Sequence, residues 1–214
     1  MTEAVKAAGL RAARVAQNEE RILGAARDLF VRDGYQATTL AAVADAAGVA
    51  HRTVYVRFGT KAALLKRVID VAIVGDMAPI DVVSREWYRD STTAPTLDAR
   101  IAALASGSAR LMASAAQVIA VAREAEPSEP LLAAAARAGR AATRDAIRTF
   151  WTRARDDGLL AAGADVTWLA DTTSVLAHAE TYLLMRETLQ LTPMRYQNWL
   201  ATTWRRMAAA AAQH

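Results

Sequence analysis

The chain has 214 residues, with 26 Lys+Arg against 22 Asp+Glu, 53% apolar residues and no cysteine. That length suffices for one large domain or two modest ones with a proper core, and the missing cysteine excludes disulfides, thiolate chemistry and cysteine-ligated zinc. The first twenty residues lack a signal-peptide core, and no later run is expected to reach the roughly 20 apolar residues of a membrane span, so the sequence predicts a cytoplasmic protein.

The net charge of +4 is placed unevenly. Residues 1–70 hold 11 Lys+Arg and 7 Asp+Glu, whereas residues 71–214 hold 15 of each. Between 37 and 67 the cations Arg52, Arg57, Lys61, Lys66 and Arg67 face Asp45 alone. A local basic patch on a balanced chain is the footprint of a polyanion partner. With only three lysines and abundant alanine, arginine number alone says little, and its placement carries the argument.

In chain order, residues 1–17 lack an apolar stripe and read as a flexible basic arm with Lys6, Arg11 and Arg14. Asn18 can cap a first helix, with Glu19 and Glu20 in its first turn. Its inward stripe is Ile22, Ala26, Leu29 and Phe30, and Gly34 ends it. A second helix after Thr39 buries Leu40, Val43, Ala44 and Ala47, and Gly48 supplies a left-handed turn. A third helix covers about 50–57. Thr60 then caps a fourth, with Leu64, Leu65, Val68, Ile69 and Ala72 inward.

Residues 76–95 read as an irregular linker holding Trp87 and Tyr88, or as a linker of which part is a short helix. Beyond it the spacing predicts helices over about 96–113, 115–125, 128–157, 165–188 and 193–211, with start signals at Thr96, Ser128, Asp165 and Thr192-Pro193. The alanine-rich tail 208–212 reads as a frayed helix end. The expected fold is all-α.

Residues 39–61, TLAAVADAAGVAHRTVYVRFGTK, thus form two short helices around a glycine turn, the second basic and ending in an aromatic plug. That is a helix-turn-helix, whose second helix enters the major groove of DNA. Thr39, Val43, Ala44, Ala47, Gly48, Val49, Thr53, Val54, Tyr55, Phe58, Lys61 and Leu64-Leu65 resemble the DNA-binding domain of the TetR family of bacterial transcriptional regulators, over about residues 18–70. The resemblance implies an N-terminal three-helix DNA-binding domain, 18–60, linked by helix four to a helical effector-binding and dimerisation domain, 61–214. Two positions depart from the family pattern. Ala50 stands where Ser or Thr is usual, removing a cap worth about 0.5–2 kcal/mol. Arg52 stands where a glycine is frequent.

The candidate DNA-binding residues are Thr39, Ala50, His51, Arg52, Thr53, Tyr55, Arg57 and Lys61. Thr39 is a helix cap that can also present a backbone amide to phosphate. Tyr55 is either a core ring or a phosphate ligand; in the family it resembles, this tyrosine contacts the backbone. Arg57 is a phosphate ligand or a solvated charge. Lys61 stands against the dipole preference at a helix start, which points to a phosphate. We expect Thr39, Tyr55 and Lys61 to position the protein and His51, Arg52 and Thr53 to read bases, an arginine on guanine O6 and N7 being the commonest specific contact.

A single helix-turn-helix reads about half a site, so a homodimer on a palindromic double-stranded operator is expected. The apolar faces of the last helices carry Trp168, Val175, Leu176, Ala179, Leu183, Leu200, Trp204 and Met207, which line a dimer seam or an intramolecular core; the resemblance implies the seam. Met112, Val118, Phe150, Trp151, Thr172, His178 and Tyr182 are candidate walls of a pocket for a small apolar or amphipathic effector, or ordinary core. The expected mechanism is a repressor released when effector binding respaces the two reading heads, with helix 61–74 as the lever. An activator or a sequence-tolerant DNA binder on the same fold are the rivals. An enzyme is disfavoured because His51, His178 and His214 lie far apart and no phosphate loop or H-E-x-x-H occurs. No cofactor or metal is expected.

Overall fold

The computed structural model describes residues 2–75 and 82–211, with side chains from residue 13 onward. Among the described residues there are ten α-helices and no strand: α1 Thr2–Ala37, α2 Leu40–Ala47, α3 His51–Phe58, α4 Lys61–Val74, α5 Glu86–Thr93, α6 Leu97–Ala125, α7 Pro130–Asp156, α8 Val166–Leu176, α9 Ala179–Leu189 and α10 Pro193–Ala210. They form two compact units, Met1–Asp70 with Val121–Ala134, and Val71–Ala120 with Ala135–His214. Helices α4, α6 and α7 contribute residues to both.

In the first unit the expected stripe of α1 is buried: Ile22, Ala26 and Phe30 are at or below 1% exposure, with Leu29 beside them. Phe30 stacks on Tyr35, ring centres 6.1 Å apart. Gly34, at φ 78° and ψ 175°, interrupts α1 before its last residues. Leu40, Val43, Ala44 and Ala47 are the buried face of α2, and Val54 that of α3. Leu64, Leu65 and Val68 on α4 are buried.

The second unit is built on a cluster that includes Tyr88, Ile101, Phe150, Trp151, Leu169, Tyr182, Tyr196, Leu200 and Trp204. Phe150 meets Trp151 edge-on at 4.8 Å, and Tyr182 meets Tyr196 in the same way, the geometry that aromatic quadrupoles favour. Arg100 fastens the start of α6, donating to the Ala94 carbonyl at 2.7 Å and to Asp157 at 2.6 Å. Tyr88 Oη donates to the Ala146 carbonyl at 2.8 Å, joining α5 to α7.

Several expectations are corrected here. Asn18 caps nothing; it lies inside α1, whose backbone is helical from Thr2. The alanine-rich segment before it has helical propensity without an apolar stripe, so its periodicity does not announce a helix. Within the linker 76–95 the alternative of a short helix holds: a helical turn lies at Val82–Ser84 and α5 follows, and residues 76–81 lie outside the described residues. The predicted break at Ser114 is absent because Met112, Ala115 and Ala116 around it are buried and hold α6 continuous. Ser128 does not cap α7; its hydroxyl donates back to the Ala125 carbonyl at the end of α6, at 3.2 Å. Helix 165–188 is two helices, because Ala177 and His178 leave helical geometry. Side chains make that break tolerable: Thr181 donates to the Val175 carbonyl at 2.8 Å and Tyr196 to the Leu176 carbonyl at 2.6 Å. The tail is packed, with Ala208 and Ala211 in the buried cluster, and residue 212 lies outside the described residues. Finally, α6 is long and apolar enough to cross a membrane by length and composition, contrary to expectation, and half of that stretch is buried inside the protein. That burial accounts for its apolar composition.

One glycine is required by close approach. A Cβ on Gly107 would lie 2.0 Å from Cε3 of Trp87. Gly107→Ala therefore forces the indole off α6, and the expected loss is about 1–3 kcal/mol, read as a lower urea midpoint.

Candidate nucleic-acid interface

Thr39 caps α2, its Oγ1 accepting from the Ala42 amide at 3.0 Å. Gly48, at φ 61° and ψ 42°, closes α2 and donates to Ala44 and Asp45. A side chain there would be strained and would also meet Arg21, whose guanidinium donates to the Gly48 carbonyl at 3.2 Å. The turn between the two short helices is therefore held from α1 as well as by its own backbone.

Ala50 is the N-cap residue of α3 and makes no side-chain cap, as the sequence implies. Val54 is fully buried and Phe58, one turn on, is half-buried. With 3.6 residues per turn, the opposite face is centred on Arg52 and Val56 and flanked by Thr53 and Tyr55. All four are exposed, Tyr55 at 53% and Val56 at 74%.

Besides Thr39, three candidate residues have side chains with partners inside the chain. His51 Nε2 lies 2.7 Å from Asp45 Oδ1, with both side chains exposed. Arg57 pairs with Glu19, a carboxylate only 6% exposed that also accepts from Arg67 Nε at 3.2 Å. The two arginines thus neutralise one buried charge and tie α3 and α4 to α1. Lys61 Nζ donates to the Tyr35 carbonyl at 2.6 Å and the Gln36 carbonyl at 3.2 Å, and sits 4.2 Å from the centre of the Tyr35 ring. Burial lowers its pKa, and the charge of Glu129 acts in the opposite direction. Its position at a helix start, unfavourable to α4, is thus offset by the C-terminal carbonyls of α1. Tyr35 Oη donates to Glu129 Oε1 at 2.8 Å, and burial first, then that carboxylate, push the phenol upward.

An ammonium has three donors, and these carbonyls take two of them. Lys61→Ala is expected to cost about 1 kcal/mol or more of stability through the lost carbonyl bonds. It should also lower the salt slope of DNA binding by about one unit through the third donor. Thermal melts and a titration over salt separate the two effects.

Spacing could not reveal Arg57 as a partner of Glu19, because the two are 38 residues apart. Val56 and Arg21 were not among the candidates. A valine on the charged side of a short helix was the available signal for the first; nothing in the sequence flagged the second.

The body candidates divide by burial. Met112, Val118, Phe150, Trp151 and Tyr182 are buried, and Thr172 and His178 are half-buried, His178 at the N-cap of α9. Trp151 Nε1 donates to Thr173 Oγ1 at 2.8 Å. Tyr182 Oη and Trp204 Nε1 are buried without a hydrogen-bond partner among the described residues. A separate open groove of about 570 Å³ is lined by Arg85, Glu86, Trp87, Asp90, Ala103, Ser106 and Arg110 and includes none of the candidates. Of the seam residues, Trp168 and Val175 are exposed, Leu176, Leu183 and Met207 are half-buried, and Ala179, Leu200 and Trp204 are buried within the single chain. Leu184 and Met194 add exposed apolar surface on α9 and α10, each at 62%.

Residues 22–68 match the family model for bacterial regulatory proteins of the tetR family. No curated protein matches the chain. Among solved structures, the MbdR regulator from Azoarcus sp. CIB is similar at 22% identity and TM-score 0.65, over 87% of this chain and 96% of that one. The SmeT–triclosan complex is similar at 20% identity and TM-score 0.68, over 90% of each chain. FadR from Bacillus subtilis in complex with stearoyl-CoA is similar at 17% identity and TM-score 0.68, over 86% of this chain and 96% of that one. At these identities the likeness is one of fold.

Proposed function

We propose that this chain, which belongs to the TetR family of bacterial regulatory proteins, is a cytoplasmic, homodimeric repressor that binds a palindromic DNA operator and leaves it when a small effector binds. The observation that carries the reading is the outward face of α3. Arg52, Thr53, Tyr55 and Val56 are exposed, while the same helix is anchored behind them by buried Val54 and the pairing of Arg57 with Glu19. A helix held rigidly from one side and open to solvent on the other suits the major groove. Arg52 supplies guanine readout, while Tyr55, Thr39 and the spare donor of Lys61 position the phosphates.

Arg52→Ala should weaken binding to a selected operator by about 1–3 kcal/mol and leave random duplex unaffected. Gel-shift titrations at fixed salt on both duplexes test this, and an equal loss on the two would remove Arg52 from base readout.

Two features support release by a ligand. The bond from Tyr35 to Glu129 ties the turn between α6 and α7 to the end of α1, beside the α2 cap, and α4 supplies residues to both units. These are the routes by which a bound effector would bias the heads toward a spacing that misfits successive major grooves. The unpartnered polar atoms of Tyr182 and Trp204 within an apolar cluster fit a mostly apolar effector with hydrogen-bonding points. SmeT and FadR, similar in fold, are described as complexes with triclosan and stearoyl-CoA. The exposed apolar residues Trp168, Val175, Leu184 and Met194 supply the self-association surface, with half-buried Leu176, Leu183 and Met207 at its margin.

A further inference from the structure

Val56 is the most exposed large apolar side chain among the described residues, at 74%. It lies at the middle of the outward face of α3, four residues after Arg52 and three after Thr53. A β-branched residue is a weak helix former, and in this eight-residue helix Val56 gains little from burial. Its neighbours on the helix are otherwise used: Val54 is core, Arg57 is paired with Glu19 and His51 with Asp45. A residue that breaks local rules without a return inside the chain marks a place where function sets the choice.

We propose that Val56 is a specificity-determining residue that reads the 5-methyl group of a thymine. The inference rests on the DNA-reading role assigned to α3. The thymine methyl is the apolar group that the major groove offers, and small apolar side chains recognise it by contact. Four residues of helix rise about 6 Å, and bases are about 3.4 Å apart along a strand. Val56 therefore reads one or two base pairs from the guanine taken by Arg52. Each half-site holds a G and, at that distance, a T on either strand.

The test uses the full chain. An operator is selected from random duplex, and each of its thymines is then replaced in turn by deoxyuridine, which lacks only the methyl. The expected result is one thymine per half-site whose replacement weakens wild-type binding about fourfold, the worth of one buried methyl. Val56→Ala should bind the thymine and uracil duplexes equally, with the affinity that wild type shows for uracil. Because Val56 is exposed, this variant keeps its fold, and a thermal melt confirms that. A selected operator whose thymines can all be replaced without loss overturns the inference, as does an operator half-site with no thymine. So does a Val56→Ala loss that is equal on both duplexes and leaves the wild-type preference for the methyl intact, since it would mean packing against sugar or another surface. A selection that enriches no sequence overturns the regulator reading and takes this inference with it.

Discussion

Removing Arg57 and Arg67 together should destabilise the protein by about 3–5 kcal/mol, the cost of stranding a buried charge. Glu19 is 6% exposed and both arginines donate to it. Either arginine alone still covers the carboxylate, and both are at least a third exposed, so solvent screens what each single removal takes away. Arg57→Ala or Arg67→Ala alone should therefore lose clearly less than half of the double loss. Adding Glu19→Gln to the double variant removes the stranded charge and should recover much of the stability. Urea unfolding of the four variants gives the comparison. Additive single losses with no recovery by the glutamine would show that the three residues do not act as one group.

Trp151→Ala carries the second large effect, an expected loss of about 3–5 kcal/mol. The indole is fully buried, meets Phe150 edge-on at 4.8 Å and donates to Thr173 at 2.8 Å. Its removal leaves a cavity and deprives Thr173 Oγ1 of a donor, although that hydroxyl keeps its own bond to the Leu169 carbonyl at 2.5 Å. Trp151→Phe restores most of the volume and should cost markedly less. Chemical denaturation reads both variants. Equal losses would assign the whole effect to the indole hydrogen bond and none to the cavity.

The reading head was the most legible part of the chain. A short helix capped by Thr39 and closed by Gly48 leaves few alternatives, so Leu40, Val43, Ala44 and Ala47 could be placed from spacing alone, and they are buried. Gly48 declared the turn because a left-handed backbone favours glycine. Long-range pairing was not legible: Glu19 meets Arg57 and Arg67 across 38 and 48 residues, and no local pattern encodes that distance. The same limit hid the bond from Lys61 to the end of α1, so a cation at a helix start pointed to phosphate alone.

In the body, periodicity found the helices and missed how they divide. No glycine or proline marks the break at Ala177 and His178; side chains of Thr181 and Tyr196, the latter on α10, stabilise it. Nor could an apolar stripe say what covers it. Leu200 and Trp204 fit a seam by spacing, yet they are filled by the chain's own cluster, whereas Trp168 and Val175 stay exposed. The DNA-binding candidates divide on similar grounds: Arg52 and Thr53 are outward, while Arg57 has a structural partner that spacing did not show.

The central claim is that the outward face of α3 distinguishes one duplex sequence from others. The most direct measurement is the affinity of the full chain for its own selected palindrome beside random duplex of equal length, at one salt concentration near physiological. A preference of about a thousandfold or more is expected for a sequence-reading regulator. Equal affinity for the two duplexes would contradict the account and leave only a charged surface that holds phosphates.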